Sequence, residues 1–219
     1  HMGQLSAGIA HELNNPLGVI TMYSNILKDE TSKENPVYQD LELIVEQTQR
    51  CKKIVSGLLN FARKNQVKLE DTDMEKFLSD SIDAILHNGS IKVKMKVETE
   101  NTHAAIDREQ MMQVITNLEK NAVEAMPQGG LLSIELHGNE QEITINISDT
   151  GSGIRKENMD KLFTPFFTTK EVGKGTGLGL PLVYGIVKMH KGQIKVDSNA
   201  EPEKGPTGTT FKITLPRGI

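Results

Sequence analysis

The sequence predicts an α+β chain in two parts, a helical hairpin followed by a two-layer sandwich of helices on a sheet. Three observations carry this. Up to about Arg63 the apolar side chains recur at steps of three and four residues, the period of a helix. Further on, stretches such as Ile91, Val93, Met95 and Val97 alternate with lysines, the period of a half-buried strand. Helical stretches are interspersed among those strands, and mixed helices and antiparallel strands indicate an α+β sandwich.

Taken in order, Leu5, Ile9, Leu13, Leu17 and Ile20 trace one apolar stripe on a first helix. A break at 31–36 precedes a second helix, in which Val37, Leu41, Ile44, Thr48, Cys51, Val55, Leu58 and Ala62 alternate steps of four and three. That is a heptad seam, and it predicts packing against partner helices. One hairpin cannot bury both stripes, so two copies pairing as a four-helix bundle, a homodimer, is the economical solution. Residues 64–72 are polar and read as a linker, which divides the chain into 1–66 and 67–219. A helix is expected over 74–86 and a strand over 91–97. Asp107 is placed to cap a helix running to Met126, which stops before Pro127 and two glycines. Strands are expected at 131–136 and 143–148, joined through Gly138-Asn139. A Gly-, Thr- and Phe-rich loop at 150–176, a helix at 178–190 and strands at 193–197 and 209–215 complete the chain.

Composition narrows the function. A net charge of -4 leaves no basic footprint for nucleic acid or an anionic membrane, and 4% aromatic residues give no base-stacking platform. No apolar run approaches the roughly 20 residues of a membrane helix, and no signal peptide is expected at the polar, Gly-containing start. His1-Met2 reads as a cloning remnant, which implies sequence upstream that can carry a membrane anchor. One cysteine, Cys51, excludes an internal disulfide and fits a reducing, cytoplasmic compartment. The six histidines lack metal-ligand spacing.

His11 lies two residues from Ile9 and from Leu13, about 200° around the helix from each, so it points away from the apolar stripe. A lone histidine there is ordinarily a solvated one. Its neighbours argue otherwise: Glu12 is adjacent, Asn15 stands one turn on, and Pro16 interrupts the helix's hydrogen bonds. Neutral imidazole is a nucleophile at physiological pH, and a carboxylate accepting one ring N–H sharpens the other nitrogen. His11-Glu12-Leu13-Asn14-Asn15-Pro16 resembles the phospho-acceptor box of sensor histidine kinases, in the subgroup with Asn where many carry Arg at position 14. Later segments extend the resemblance in the family's order. Asn117 and Asn121 resemble its N box, and Asp149-Thr150-Gly151-Ser152-Gly153 its first glycine box. Phe163 to Phe167 resembles its F box, and Gly173-Lys174-Gly175-Thr176-Gly177-Leu178-Gly179-Leu180 its second glycine box. Any one of these is ordinarily a turn, a polar helix face or a flexible loop. Five in order across nearly the whole chain make a strong signal.

The resemblance implies ATP and Mg²⁺ as cofactors, and the residue chemistry agrees with it. Asp149 offers a carboxylate to the exocyclic amino group of adenine, where guanine presents an acceptor. Gly151 and Gly153 are expected to let the backbone approach the base. Asn121 has the amide oxygen a hard cation prefers, with Asn117 one turn earlier. Gly175, Gly177 and Gly179 can present N–H groups to phosphates at a helix N-terminus, flanked by Thr176 and Leu178. Lys174, with Lys120 and Lys170, can offset phosphate charge. By resemblance, Thr209 lies on the strand beneath adenine, near Asp149. The family also implies that His11 passes its phosphoryl group to an aspartate of a response regulator, and that Glu12-x-x-Asn15 serves dephosphorylation of that regulator. Neither the P-loop spacing nor the G-x-G-x-x-G pattern is met.

Glu119 departs from the pattern, standing where the family has an apolar residue; a partly open helix face or a pairing lysine is expected there. The gyrase, Hsp90 and MutL ATPases of the wider superfamily carry a glutamate four residues before the Mg²⁺ asparagine. Here that position is Asn117, whose amide cannot act as a base, which favours transfer over hydrolysis. A serine kinase of the superfamily has no use for the His11 hairpin, and a purely nucleotide-sensing scaffold has no need of every chemical group being intact.

Overall fold

The computed structural model describes residues 2–63, 67–83, 90–171 and 175–218, and for 2–12, 53–54, 56–63 and 83 the backbone alone. It divides into two compact units, His1–Asn65 with Thr164–Leu178, and Gln66–Phe163 with Gly179–Ile219.

The first unit holds helices α1, Met2–Glu30, and α2, Pro36–Arg63. The break falls where the sequence put it. Thr31 Oγ1 closes α1 by donating to the Leu27 carbonyl at 2.6 Å, Asn35 Oδ1 accepts from the Val37 N–H at 3.0 Å, and Pro36 opens α2 with its φ already helical. Pro16 does not end α1, although it has no N–H for the carbonyl four residues before it. The heptad seam splits in two. Leu41 (7% exposed), Thr48 and Val55 are buried inside the hairpin, with Val45 beside them. Val37, Ile44 (44% exposed) and Cys51 stand in the open, as do Leu13 and Ile20 of the first stripe. Leu5, Ile9, Leu58 and Ala62 lie outside the described side chains.

In the second unit, β1 (Glu70–Asp73) leads into α3 (Met74–Asp83), then β2 (Ile91–Glu98), β3 (His103–Ile106) and α4 (Arg108–Ala125). The hairpin β4 (Gly130–Gly138) and β5 (Glu142–Asp149) follows, then a short α5 (Lys156–Met159), α6 (Gly179–Met189), β6 (Gln193–Asn199) and β7 (Gly208–Pro216). Five strands form one sheet in the order β2-β4-β5-β7-β6, and alternation puts Ile134, Ile145, Ile147, Phe211 and Ile213 on its inner face. Val114, Ile115 and Leu118 of α4 and Val183 and Ile186 of α6 belong to the same core.

Two expectations are corrected. Residues 70–72 of the expected linker, together with Asp73, form a strand paired antiparallel with β3, which the sequence reading also passed over. Four-residue strands are too short to show a period. The main sheet is not wholly antiparallel either, since β2 runs parallel to β4. A parallel pair needs a crossover of a dozen or more residues, and β3 with α4 supplies it.

Glu119 is a third correction. It is 2% exposed on the buried face of α4, and among the described residues its partner is a hydroxyl, Ser81 Oγ of α3 at 2.9 Å, with no lysine paired to it. Burial pushes its carboxyl above the ordinary value of 4.5.

Candidate active site

Helix α4 carries the N-box residues, and its start is firmly fixed. The Asp107 carboxylate accepts the Gln110 N–H at 3.0 Å, the Gln110 side-chain amide at 2.9 Å and the Lys68 N–H at 3.1 Å, so the expected cap is present. The Asp107 N–H donates to His190 Nε2 at 3.0 Å, and the other ring nitrogen of His190 donates to the Ile186 carbonyl at 2.9 Å. Both partners require a neutral imidazole, and burial depresses its pKa below the ordinary 6.5.

With α4 so held, its apolar stripe faces the core and Asn117 and Asn121 are half-buried one turn apart. The Asn117 amide N–H donates back to the Gln113 carbonyl at 2.7 Å, which leaves its oxygen outward. A Cβ at Gly179 would come within 3.0 Å of that oxygen, so α6 begins against Asn117. Lys120, expected beside phosphate, is exposed and pairs with Glu124 at 3.9 Å, one turn along its own helix.

Asp149 ends β5, half-buried. Its carboxylate accepts the Gly151 N–H at 2.8 Å and the Thr209 N–H. Burial raises its pKa above 3.8 while these two donors oppose the rise. Thr209 is its register partner on β7 and is 5% exposed, beside Asp149 as the resemblance implied.

The glycines have a reason the sequence reading did not supply. A side chain at Gly151 would strike the Ala125 carbonyl at 2.6 Å, and Gly153, at φ +70°, would put one 2.0 Å from the Asn199 carbonyl. The approach they permit is to the protein's own backbone, the end of α4 and the end of β6. Two residues at this end of the sheet were passed over. Gly208 precedes Thr209 with φ +151°, and a Cβ there would lie 2.1 Å from the Asp149 carbonyl. Ser198 touches three neighbours through one hydroxyl. A Gly-Thr pair opening a strand was the available signal for the first; nothing local marked the second.

The loop 164–178 belongs to the other unit. Inside it the Phe166 N–H donates to the Gly177 carbonyl at 2.9 Å, with Phe166 at φ +68° and Gly177 at φ +65°. A side chain at Gly177 would meet the Phe166 backbone at 2.4 Å, and one at Gly175 the Thr168 hydroxyl at 2.5 Å. Lys170 is exposed, and Thr176 and Leu178 are half-buried. Lys174 lies outside the described residues. So do the side chains of His11 and Glu12; their backbone is within α1, and Asn15 is exposed one turn after His11.

Comparison with known proteins gives these segments a context. Residues 106–219 match the family described as histidine kinase-, DNA gyrase B- and HSP90-like ATPase, and residues 1–67 match the His Kinase A (phospho-acceptor) domain. Sensor kinase CckA of Brucella abortus is 38% identical over the whole of this chain, which spans 24% of that relative's length. Among solved structures, full-length ShkA in complex with AMPPNP superposes with a TM-score of 0.73 at 21% identity, over 98% of this chain and 46% of ShkA. Histidine kinase ThkA in complex with response regulator protein TrrA gives 0.68 at 22% identity, over 99% of this chain and 62% of ThkA; at such identities the likeness is one of fold. The chain belongs to the sensor histidine kinases, with a phospho-acceptor domain followed by an ATPase domain of the gyrase B and HSP90 kind.

Proposed function

We propose that this chain transfers the γ-phosphoryl group of ATP to His11 and then to an aspartate of a response regulator. One observation carries the nucleotide half: the Asp149 carboxylate, held by two backbone N–H groups beside Thr209, is a fixed acceptor for the amino group of adenine. A ring nitrogen of His11 attacks the γ-phosphorus, the bond to ADP breaks, and Glu12 takes the proton from the other ring nitrogen. Positioning supplies much of the acceleration in such a transfer.

Among the described residues no cluster of three or more His, Cys, Asp or Glu can hold a metal. This suits Mg²⁺ that arrives on the nucleotide, with Asn121 giving it an amide oxygen and the ion balancing phosphate charge. Gly175, Thr176, Gly177, Leu178 and Gly179, with Lys170 and Lys174, are assigned to the phosphates. The chain is read as a 1–66 hairpin followed by a 67–219 catalytic domain, an order supported by the phospho-acceptor match over 1–67 and the ATPase match over 106–219. Homodimers form through the hairpin, whose open row of Val37, Ile44 and Cys51 awaits a partner. Asn15, exposed a turn from His11, orients water for dephosphorylation of the regulator. A cytoplasmic location suits the exposed thiol of Cys51 and the use of ATP; no helix among the described residues is long and apolar enough to cross a membrane.

The test is incubation with labelled ATP, then acid or base. The expected product is acid-labile and base-stable, as a phosphohistidine is, and His11→Gln abolishes it while leaving nucleotide affinity unchanged. Glu12→Gln slows it by roughly 10²–10⁴-fold. Label persisting on His11→Gln would exclude His11 as the acceptor.

A further inference from the structure

We infer that Ser198 sets the base preference of this site by holding the Thr209 hydroxyl as a pure acceptor beside Asp149. The inference rests on the adenine reading of Asp149 above and adds one residue to it. Asp149, Thr209 and Ser198 are consecutive register partners across β5, β7 and β6. Residues directly opposite one another project from the same face of a sheet, so the three form one polar row at the end of the inner face.

Ser198 Oγ has three neighbours. It accepts the Ile154 N–H at 2.8 Å, donates to the Gly208 carbonyl at 2.8 Å, and lies 2.9 Å from Thr209 Oγ1. A hydroxyl has one proton and two acceptor lone pairs. A carbonyl can only accept, so the serine proton goes to Gly208. Thr209 must then donate its own proton to Ser198, and its oxygen is left with lone pairs alone. Beside it, the Asp149 carboxylate is likewise an acceptor, its donors being the Gly151 and Thr209 N–H groups.

Two neighbouring acceptors suit an amino group, which has two N–H bonds to give. They reject a carbonyl oxygen, because buried acceptors facing one another stay unpaired. Adenine presents an amino group at C6 and guanine a carbonyl. A threonine hydroxyl free to rotate would turn its proton toward that carbonyl and blunt the preference. Ser198 prevents the rotation. It acts through Thr209 and is a positioning residue.

Equilibrium binding of ADP, GDP and purine riboside diphosphate, which lacks a C6 substituent, to the full chain tests this. The unmodified protein should prefer ADP to GDP. In Ser198→Ala the preference should fall about tenfold, the size of one such hydrogen bond, while affinity for purine riboside diphosphate stays within about twofold. Ser198→Thr, which keeps the hydroxyl, should retain the preference. Thr209→Val should lower it by a similar factor, with Ser198→Ala adding nothing further in that background. A uniform loss for all three nucleotides in Ser198→Ala would show a structural role only and overturn the inference. So would an unchanged preference in Thr209→Val, a reading that holds even if Ser198→Ala does not fold. Equal binding of ADP and GDP by the unmodified protein would instead sink the adenine reading of Asp149 itself.

Discussion

Ser81 Oγ lies 2.9 Å from Glu119 Oε1 and 2.7 Å from the Leu78 carbonyl. One hydroxyl proton cannot serve both acceptors. A protonated Glu119 resolves the conflict by donating to Ser81, which then donates to Leu78. Burial favours the same neutral form. Because the folded-state pKa is raised, the stabilising contribution is complete below the ordinary carboxyl value and is lost as pH rises through the raised one. Glu119→Gln, which keeps the shape and cannot ionise, should therefore stabilise the protein at pH 8 by on the order of 1 kcal/mol, about 2–4 °C in Tm. The gain should vanish by pH 4. Thermal melts across that range decide it, and a loss of stability at pH 8 would mean the carboxylate is ionised and held. The sequence made Glu119 conspicuous but could not name its partner, since Ser81 is 38 residues away on another helix.

At the scale of elements, α4 joins the core to the chemistry. Its cap gathers three chain segments, the Lys68 N–H, the first turn of α4 and His190 at the end of α6. Asp107→Ala removes the carboxylate from two backbone donors and should cost about 1–2 kcal/mol. Because Asn117 and Asn121 ride on this helix, nucleotide affinity should weaken along with the melting temperature. Unchanged affinity at equal loss of stability would show that the cap steadies the helix without setting the site. The cap was legible from Asp107 standing four residues before Met111, where an apolar helical period begins. His190 was not, because it is 83 residues distant and reaches Asp107 only once α6 packs beside α4. The glycine boxes were legible as glycines, but the close approach of the protein's own backbone at Gly151, Gly153 and Gly177 was not.

For the whole molecule, the hairpin makes the sharpest demand. Every seventh seam residue, Leu41, Thr48 and Val55, is consumed inside it, and the alternate set of Val37, Ile44 and Cys51 is left in water. Ile44→Asp should leave the hairpin folded yet weaken a dimer at least 100-fold, whereas Leu41→Asp should unfold it. Sedimentation at micromolar concentration separates the two. A monomeric unmodified chain, or a dimer indifferent to Ile44→Asp, would remove the bundle from the account. The two-part architecture, the helical seam, the cap of α4, the strand periods and the order of the chemical boxes were all legible before any fold was known. All of these are written in spacings along the chain, and spacing fixes which face a side chain takes. Packing settled that β2 runs parallel to β4, that 70–73 pairs with 103–106, that half of the described seam stays open, and that Ser198 stands behind Thr209. Those are meetings between residues far apart in sequence, and they depend on how elements pack, which no local period encodes.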